Sequence, residues 1–237
     1  MWGCLVVTQS MGMKYNDIRT APFHPNIHNF GNTGPLGRFH AITASLATKV
    51  IDRFAYDGIN MRHELASHVS KSNPGAIVLE VGCGVGTLTR ELTQANLTVF
   101  AIDTSKEMID QAKLEVPNQN FTVMNGVDVQ DYFSGVDITI ACMLMHEMPK
   151  SAHVDLINAF VDVTKSNGEI WIVDIDPSYK PSEIMLSGEP YILKYLHEFG
   201  QTISDVSTDR NLSLVTWSVI PNHVTAYILR NDTHSSN

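Results

Sequence analysis

The residues with the clearest chemical potential are three glycines at alternating positions, Gly82, Gly84 and Gly86, that follow an apolar run. Glycine tolerates positive φ and has no side chain, so the backbone of such a turn can approach a ligand closely. Glu80 precedes the glycines, and Asp103 ends the next apolar run. An acid inside the turn repels a diphosphate but suits a cation, and Asp103 is placed to bind two ribose hydroxyls. The pattern predicts a ligand with a ribose and a positive charge but no phosphates.

The spacing of the glycines disfavours a dinucleotide site. Such a site needs G-x-G-x-x-G, with the pyrophosphate at the N-terminus of the following helix. Here Thr87 occupies the sixth position. A nicotinamide-dependent reductase is therefore the weaker interpretation.

The elements that must position these residues alternate between short apolar runs and amphipathic segments. Strands are predicted at 77–81, 97–103, 121–125, 136–143 and 168–175, and helices at 86–93, 105–115 and 150–165. This repetition predicts an α/β fold with a doubly wound, mostly parallel sheet and helices on both faces. A helix at 189–206 precedes two more strands, 212–220 and 223–230, whose short Pro221-Asn222 link allows only antiparallel pairing. We expect seven strands that end in an antiparallel hairpin.

The N-terminal part of the chain has a different pattern. Residues 1–39 are rich in proline and glycine and are predicted to be irregular, whereas 40–70 contain two helical stretches separated at Asp57-Gly58. We predict that residues 1–72 form a helical extension that covers the substrate. Residues 73–237 then form the core, with an insertion at about 177–200. Four tyrosines are candidates for the substrate pocket: Tyr56, Tyr179, Tyr191 and Tyr195.

Two segments resemble a known enzyme family. "VLEVGCGVGTLT" (78–89) and "VFAIDTSKEMIDQAK" (99–113) resemble the first and second motifs of class I S-adenosylmethionine-dependent methyltransferases, and the likeness extends over about residues 74–230, including the terminal hairpin. The resemblance implies S-adenosyl-L-methionine as cofactor. It places the turn of Gly82, Cys83 and Gly84 beneath the methionine part, Glu80 at the ammonium group and Asp103 at the ribose. Thr104 and Met108 are then expected beside the adenine.

The third motif of that family leaves two alternatives. Family members usually carry Asp or Asn soon after the third strand to bind the adenine amino group. Here Asn125 is in the commoner register, with Gly126 supplying backbone, and Asp128 follows three residues later. We favour Asn125 and keep Asp128 open. Cys142, at the end of the fourth strand, is expected near the cofactor, either as a contact or as a small buried residue that borders the site.

Three side chains are candidates for catalysis. His146 follows the fourth strand, where a neutral imidazole could accept a proton from the methyl acceptor; the alternative is that it orders the loop through Glu147. Asp174, at the end of the fifth strand, could hold a cationic substrate or cap the next segment. Tyr56 is the third candidate. A base is needed only when the acceptor must lose a proton, because the positively charged sulfur is already a good leaving group.

Composition restricts the remaining possibilities. The 237 residues include 16 basic and 25 acidic residues, for a net charge of −9, which disfavours a nucleic-acid partner. No apolar run is long enough to span a bilayer, so no membrane partner is predicted, and no basic segment of a signal peptide is present. The three cysteines are unclustered and fit free thiols, so a cytoplasmic location is expected. His24, His28 and His40 could gather near a metal, but Pro25 and the surrounding loop leave their geometry undefined, and no metal is predicted.

The sequence therefore predicts a methyltransferase that acts on a small organic acceptor as a monomer or homodimer. The alternative from another class is a catalytically silent protein that binds S-adenosylmethionine and regulates a partner. The intact glycines and Asp103 favour the enzyme, since a decayed site should have lost one of them. Titration with S-adenosylmethionine, followed by a search for S-adenosylhomocysteine with candidate acceptors, separates the two.

Overall fold

A computed structural model describes residues 33–230 and contains a seven-stranded sheet with the spatial order β3-β2-β1-β4-β5-β7-β6. β7 runs antiparallel to both of its neighbours, and the other pairs are parallel. This confirms the predicted doubly wound sheet and its terminal hairpin. The strands are β1 (Ile77–Val81), β2 (Thr98–Asp103), β3 (Asn120–Val123), β4 (Val136–Cys142), β5 (Thr164–Ile175), β6 (Ser213–Ile220) and β7 (Val224–Arg230).

Helices cover both faces of the sheet. They are α1 (Gly34–Phe54), α2 (Met61–Ser72), α3 (Thr87–Gln94), α4 (Lys106–Glu115), α5 (Lys150–Val163), α6 (Glu183–Gly188) and α7 (Ile192–Asp209), with short 3₁₀ helices at Gly126–Asp131 and Met145–Glu147. Successive side chains of a strand point to opposite faces. Val78 accordingly joins an apolar core with α2, α3 and α4, whereas Leu79 and Val81 join a core with α5 and α7.

The start of α1 differs from the prediction, because residues 34–39 are helical rather than irregular. Pro35 lies in the first turn, where its missing N–H costs no hydrogen bond. Gly37 is buried, and α1 packs on α4. The Gly34 amide also donates to Glu107 Oε1 of α4 at 2.7 Å. The glycines and the proline that predicted a loop therefore form the first turn of α1, at the end of the helix that contacts α4.

The bounds of two strands also differ from the prediction, because pairing with the neighbouring strand sets them. β5 begins at Thr164, not at 168, because Thr164 pairs with Val136 of β4 and its hydroxyl bonds to Thr139 Oγ1 at 2.7 Å. β3 ends at Val123, so Asn125 lies beyond the strand and caps the 3₁₀ helix that follows. The predicted insertion contains α6 and the start of α7.

Candidate active site

A cavity of about 220 Å³ opens at the carboxyl ends of β1, β2 and β4, beneath α1. This is the edge at which open parallel sheets bind ligands. Every residue predicted to bind the cofactor lines this cavity except Asp128: Glu80, Gly82, Cys83, Gly84, Asp103, Thr104, Met108, Asn125, Gly126 and Cys142. The three predicted catalytic residues, Tyr56, His146 and Asp174, are not among the lining residues.

The glycines of the turn after β1 have different tasks, although all three have positive φ. A Cβ at Gly82 would lie 2.9 Å from the Leu144 side chain, and one at Gly86 would lie 2.8 Å from Phe121, so packing excludes a side chain at both. A Cβ at Gly84, where φ is +52°, would meet no atom within 4 Å. Gly84 therefore presents bare backbone to open space in the cavity, as close approach by a ligand requires.

Asp103 is held at the end of β2 by two backbone amides. Gly84 N–H donates to one carboxylate oxygen at 2.9 Å, and Ser105 N–H donates to the other at 2.8 Å. Burial raises the pKa of Asp103 to about 6, and these hydrogen bonds offset only part of that effect. Each carboxylate oxygen has a second lone pair, so the oriented group can still accept hydrogen bonds from two hydroxyls.

A buried acid and a cation face the same part of the cavity. Glu80 is 2% exposed, accepts a hydrogen bond from Thr89 Oγ1 at 2.6 Å, and has a pKa raised to about 8 by burial. Arg62 of α2 also lines the cavity; it lies 3.7 Å from Asp52 of α1, and its charge lowers the pKa of Glu80 in part. The two side chains suit the ammonium and carboxylate groups of an amino acid, because a bound ammonium group favours the ionised form of Glu80. The sequence analysis missed Arg62, because no local pattern connects α2 to the glycine turn.

The two alternatives for the third motif lie in different places. Asn125 lines the cavity, and its Oδ1 accepts a hydrogen bond from Val127 N–H at 3.3 Å. Gly126 also lines it, and a Cβ there would lie 2.6 Å from Leu156. Asp128 is buried in the following 3₁₀ helix, outside the lining.

His146 and Asp174 form a buried pair outside the lining of the cavity. His146 Nδ1 lies 2.6 Å from Asp174 Oδ1, and the other carboxylate oxygen accepts a hydrogen bond from Met145 N–H at 2.6 Å. Burial lowers the pKa of His146, but the charge of Asp174 and this hydrogen bond outweigh it and raise the pKa to about 9. The pair anchors the loop after β4. Glu147, which follows His146 in this loop, lines the cavity.

The candidate tyrosines also lie outside the lining. Tyr56 is buried, which raises its pKa to about 12, and its ring meets His223 edge-on at 5.9 Å. Tyr179 lies 5.6 Å from the same imidazole, and Tyr195 donates from its hydroxyl to the Ile175 carbonyl at 3.1 Å. Tyr191 precedes α7, away from the cavity. Two helices of the predicted extension face the cavity: α1 contributes His40, Ala44 and Thr48, and α2 contributes Arg62.

Within residues 33–230, no group of three or more His, Cys, Asp or Glu side chains is arranged to hold a metal ion. His24 and His28 lie outside the described residues, as does Cys4. Cys83 and Cys142 are free thiols. In the described part of the chain, no helix is both long and apolar enough to cross a bilayer.

Comparison with known proteins identifies the class. Residues 78–168 match the sequence pattern of a family described as a methyltransferase domain. Residues 78–168 therefore carry a methyltransferase domain, and the strand order and the glycine turn agree with the class I S-adenosylmethionine-dependent enzymes that the sequence analysis predicted. The prediction of family and cofactor is confirmed.

Individual relatives are distant. An uncharacterised methyltransferase of Synechocystis sp. is 27% identical over 143 residues, which cover 60% of this chain and 64% of the relative. A ubiquinone biosynthesis O-methyltransferase of Mesorhizobium japonicum is 22% identical over 216 residues, which cover 87% of this chain and 81% of the relative. The chain thus spans just under two thirds of the first relative's length. The crystal structure of magnesium protoporphyrin IX methyltransferase from Synechocystis PCC 6803 with bound SAH (S-adenosylhomocysteine) has a TM-score of 0.57 at 18% identity, and the alignment covers 82% of this chain and 98% of that one. This likeness shows a shared fold.

Proposed function

We propose that this protein transfers a methyl group from S-adenosylmethionine to a small organic acceptor. The observation that carries the proposal is the direct hydrogen bond between Gly84 and Asp103 at the rim of one cavity, with Glu80 on the same wall. Bare backbone, a ribose-binding carboxylate and a buried acid match the parts of this cofactor. S-adenosylmethionine supplies a methyl group on a positively charged sulfur, so the protein's task is alignment and exclusion of water.

The cavity supports a role for each lining residue. Asp103 accepts hydrogen bonds from the ribose hydroxyls, and Glu80 and Arg62 hold the ammonium and carboxylate groups of the methionine part. Asn125 binds the adenine amino group. The remaining predicted contacts border the cofactor, namely Gly82, Cys83, Thr104, Met108, Gly126 and Cys142.

The acceptor lies beneath α1 in this proposal. His40, Ala44 and Thr48 of α1 and Glu147 of the loop after β4 line the cavity, so His40 and Glu147 are the groups placed to receive a proton from a hydroxyl or an amine. Two relatives bear names that refer to ubiquinone biosynthesis and to magnesium protoporphyrin IX, which supports an organic molecule as acceptor.

The predicted catalytic residues take positioning roles in this proposal. With a pKa near 9, His146 already carries a proton at neutral pH and is unsuited to accept one. His146 and Asp174 instead hold the loop that presents Glu147. Tyr56 anchors the junction between α1 and α2 through its contact with His223.

Calorimetric titration of the full chain with S-adenosylmethionine tests the cofactor site. Asp103→Asn should weaken binding by about tenfold or more, because hydrogen bonds to a charged group contribute about 1.5–3 kcal/mol. Asp110→Asn, on the exposed face of α4 beside Lys106, is the matched control and should change nothing. Equal binding by both variants, or binding of NAD instead, would overturn the cofactor assignment.

A metabolite screen with isotopically labelled methyl donor tests the transfer step. The enzyme should label an organic compound and release S-adenosylhomocysteine in equal amount. Tight cofactor binding without product in any pool would instead favour the silent regulatory protein.

A further inference from the structure

The outer face of α1 carries an unusual run of exposed apolar side chains, here called the α1 stripe. At about 100° per residue these side chains fall on one side of the helix. The α1 stripe consists of Leu36 (59% exposed), Phe39 (62%), Ile42 (57%), Leu46 (65%), Val50 (48%) and Phe54 (81%). On the opposite side, Gly37 and Ala41 are packed inward and His40, Ala44 and Thr48 face the cavity, whereas Ile51 near the end of the helix is 47% exposed.

A contiguous apolar surface of this kind marks an interaction site in a folded protein. The other large exposed apolar residues of the described chain are spread over several elements, as on any protein surface. Stability of α1 itself does not account for the stripe, because the helix docks through its opposite face. Ala41 packs there with Val85 and Met108, and the Gly34 amide bonds to Glu107.

The charges beside the stripe indicate what covers it. Arg38 and Lys49 lie beside one edge of the stripe and Arg53 lies just inside that edge, the three within an arc of about 60°. The acid of the same helix, Asp52, is turned to Arg62 at 3.7 Å and does not pair with that edge. The chain as a whole has a net charge of −9, so the charge of this edge is opposite in sign to the net charge.

We infer that the α1 stripe docks on an anionic lipid bilayer surface. An amphipathic helix of this kind lies in the membrane plane, with its apolar side chains below the headgroups and its basic side chains at the lipid phosphates. Each basic residue near such a surface adds about 1 kcal/mol. The prediction of no membrane partner depended on the lack of a spanning segment, and a helix that lies in the surface needs none.

A second copy of the chain paired antiparallel fits the stripe less well. A two-fold axis that pairs two α1 stripes antiparallel keeps the basic edge on the same side of both helices. Arg38, Lys49 and Arg53 of one copy would then adjoin the same residues of the other, and like charges across an interface are unfavourable.

The bilayer also suits the position of the helix. His40, Ala44 and Thr48 of α1 face the cavity, while the stripe faces outward. Docking therefore leaves only α1, about 10 Å across, between the cavity and the lipid. If the proposed function is correct, an acceptor dissolved in the membrane has a short path to it.

Vesicle co-sedimentation of the full chain tests the inference. Phosphatidylcholine vesicles with about 30% phosphatidylglycerol should bind the protein, pure phosphatidylcholine should bind it much less, and high salt should weaken the binding. The double variant Phe39→Glu, Leu46→Glu should lose at least tenfold in binding. Val215→Glu is the matched control, since it changes an exposed apolar residue on β6 at the far edge of the sheet, and it should bind as the wild type does.

Three results would overturn the inference: no binding to anionic vesicles, equal loss in the control, or a dimer that the double variant dissociates. A dimer that the double variant dissociates would show that the stripe binds a second copy of the chain. Absence of binding to anionic vesicles would indicate that another part of this chain covers the stripe. The milder Leu46→Gln, checked by circular dichroism, keeps the test valid should the double variant unfold. The assay contains no cofactor or acceptor, so its failure leaves the proposed function untouched.

Discussion

The Gly84 amide donates a hydrogen bond of 2.9 Å to Asp103 Oδ2, which joins the turn after β1 directly to the end of β2. The other oxygen of Asp103 accepts from Ser105 N–H, the N-cap residue of α4. Two groups proposed to contact one ligand are thus oriented relative to each other by the fold itself. Such preorganisation lowers the entropy cost of binding.

Gly84→Ala should lower cofactor affinity and stability together. The positive φ disfavours an L-residue by about 1–2 kcal/mol, and the new methyl group would enter the open space of the cavity. Gly200→Ala on α7 is the matched control, because a Cβ there also meets no atom but the backbone is helical; it should stabilise the protein by about 0.5–1 kcal/mol and leave binding unchanged. Urea unfolding and calorimetry measure both effects. Unaltered binding by Gly84→Ala would contradict the assigned ligand position.

Asn125→Ala and Asp128→Ala should separate the two alternatives for adenine recognition. Removing the Asn125 amide should weaken S-adenosylmethionine binding by about tenfold, because a lost hydrogen bond costs about 1 kcal/mol and an unpaired partner adds to that cost. Asp128→Ala should leave affinity unchanged, since the residue lies outside the cavity lining. Calorimetric titration of the two variants side by side decides the matter, and the reverse order of effects would transfer the role to Asp128.

Cofactor binding at pH 7 should release a proton from Glu80. Burial holds the pKa of this carboxyl near 8, so it is mostly protonated before binding, and a positive ligand favours the ionised form. Titrations in two buffers of different ionisation enthalpy measure the proton release. Glu80→Gln should abolish it and weaken binding, whereas Glu64→Gln, on the exposed side of α2, should alter neither. Proton release that persists in Glu80→Gln would point to another group.

The His146–Asp174 pair should make stability depend on pH. The folded pKa of His146 is about 9 and its ordinary value is 6.5, so the contribution is complete below pH 6.5 and is lost as the pH rises to about 9. The loss amounts to about 3 kcal/mol at most. Glu80 titrates in the same direction over an overlapping range, so the relevant quantity is the difference between wild type and His146→Gln in urea unfolding. Parallel pH profiles for the two proteins would show that the pair does not supply this dependence.

The predictions from sequence succeeded where the signal was local. The strands follow from runs of aliphatic residues, and the residues at their carboxyl ends converge because parallel strands end at one edge of the sheet. Asp103 and the glycines could be placed in this way. The beginning of α1 could not, because glycine and proline indicate a loop unless the packing partner is known, and here that partner is α4.

The sequence by itself determined the fold class and most of the residues that meet in the cavity at the carboxyl edge of the sheet, because periodicity and turn chemistry act over a few neighbouring residues. Only the tertiary structure decided that Arg62 and His40 line the same cavity and that His146 turns to Asp174 rather than to the site. These relationships join residues far apart in the chain, and their geometry depends on how helices pack on the sheet. Only the tertiary structure likewise showed that the α1 stripe is exposed, because an apolar pattern alone does not show which face of a helix the core leaves uncovered.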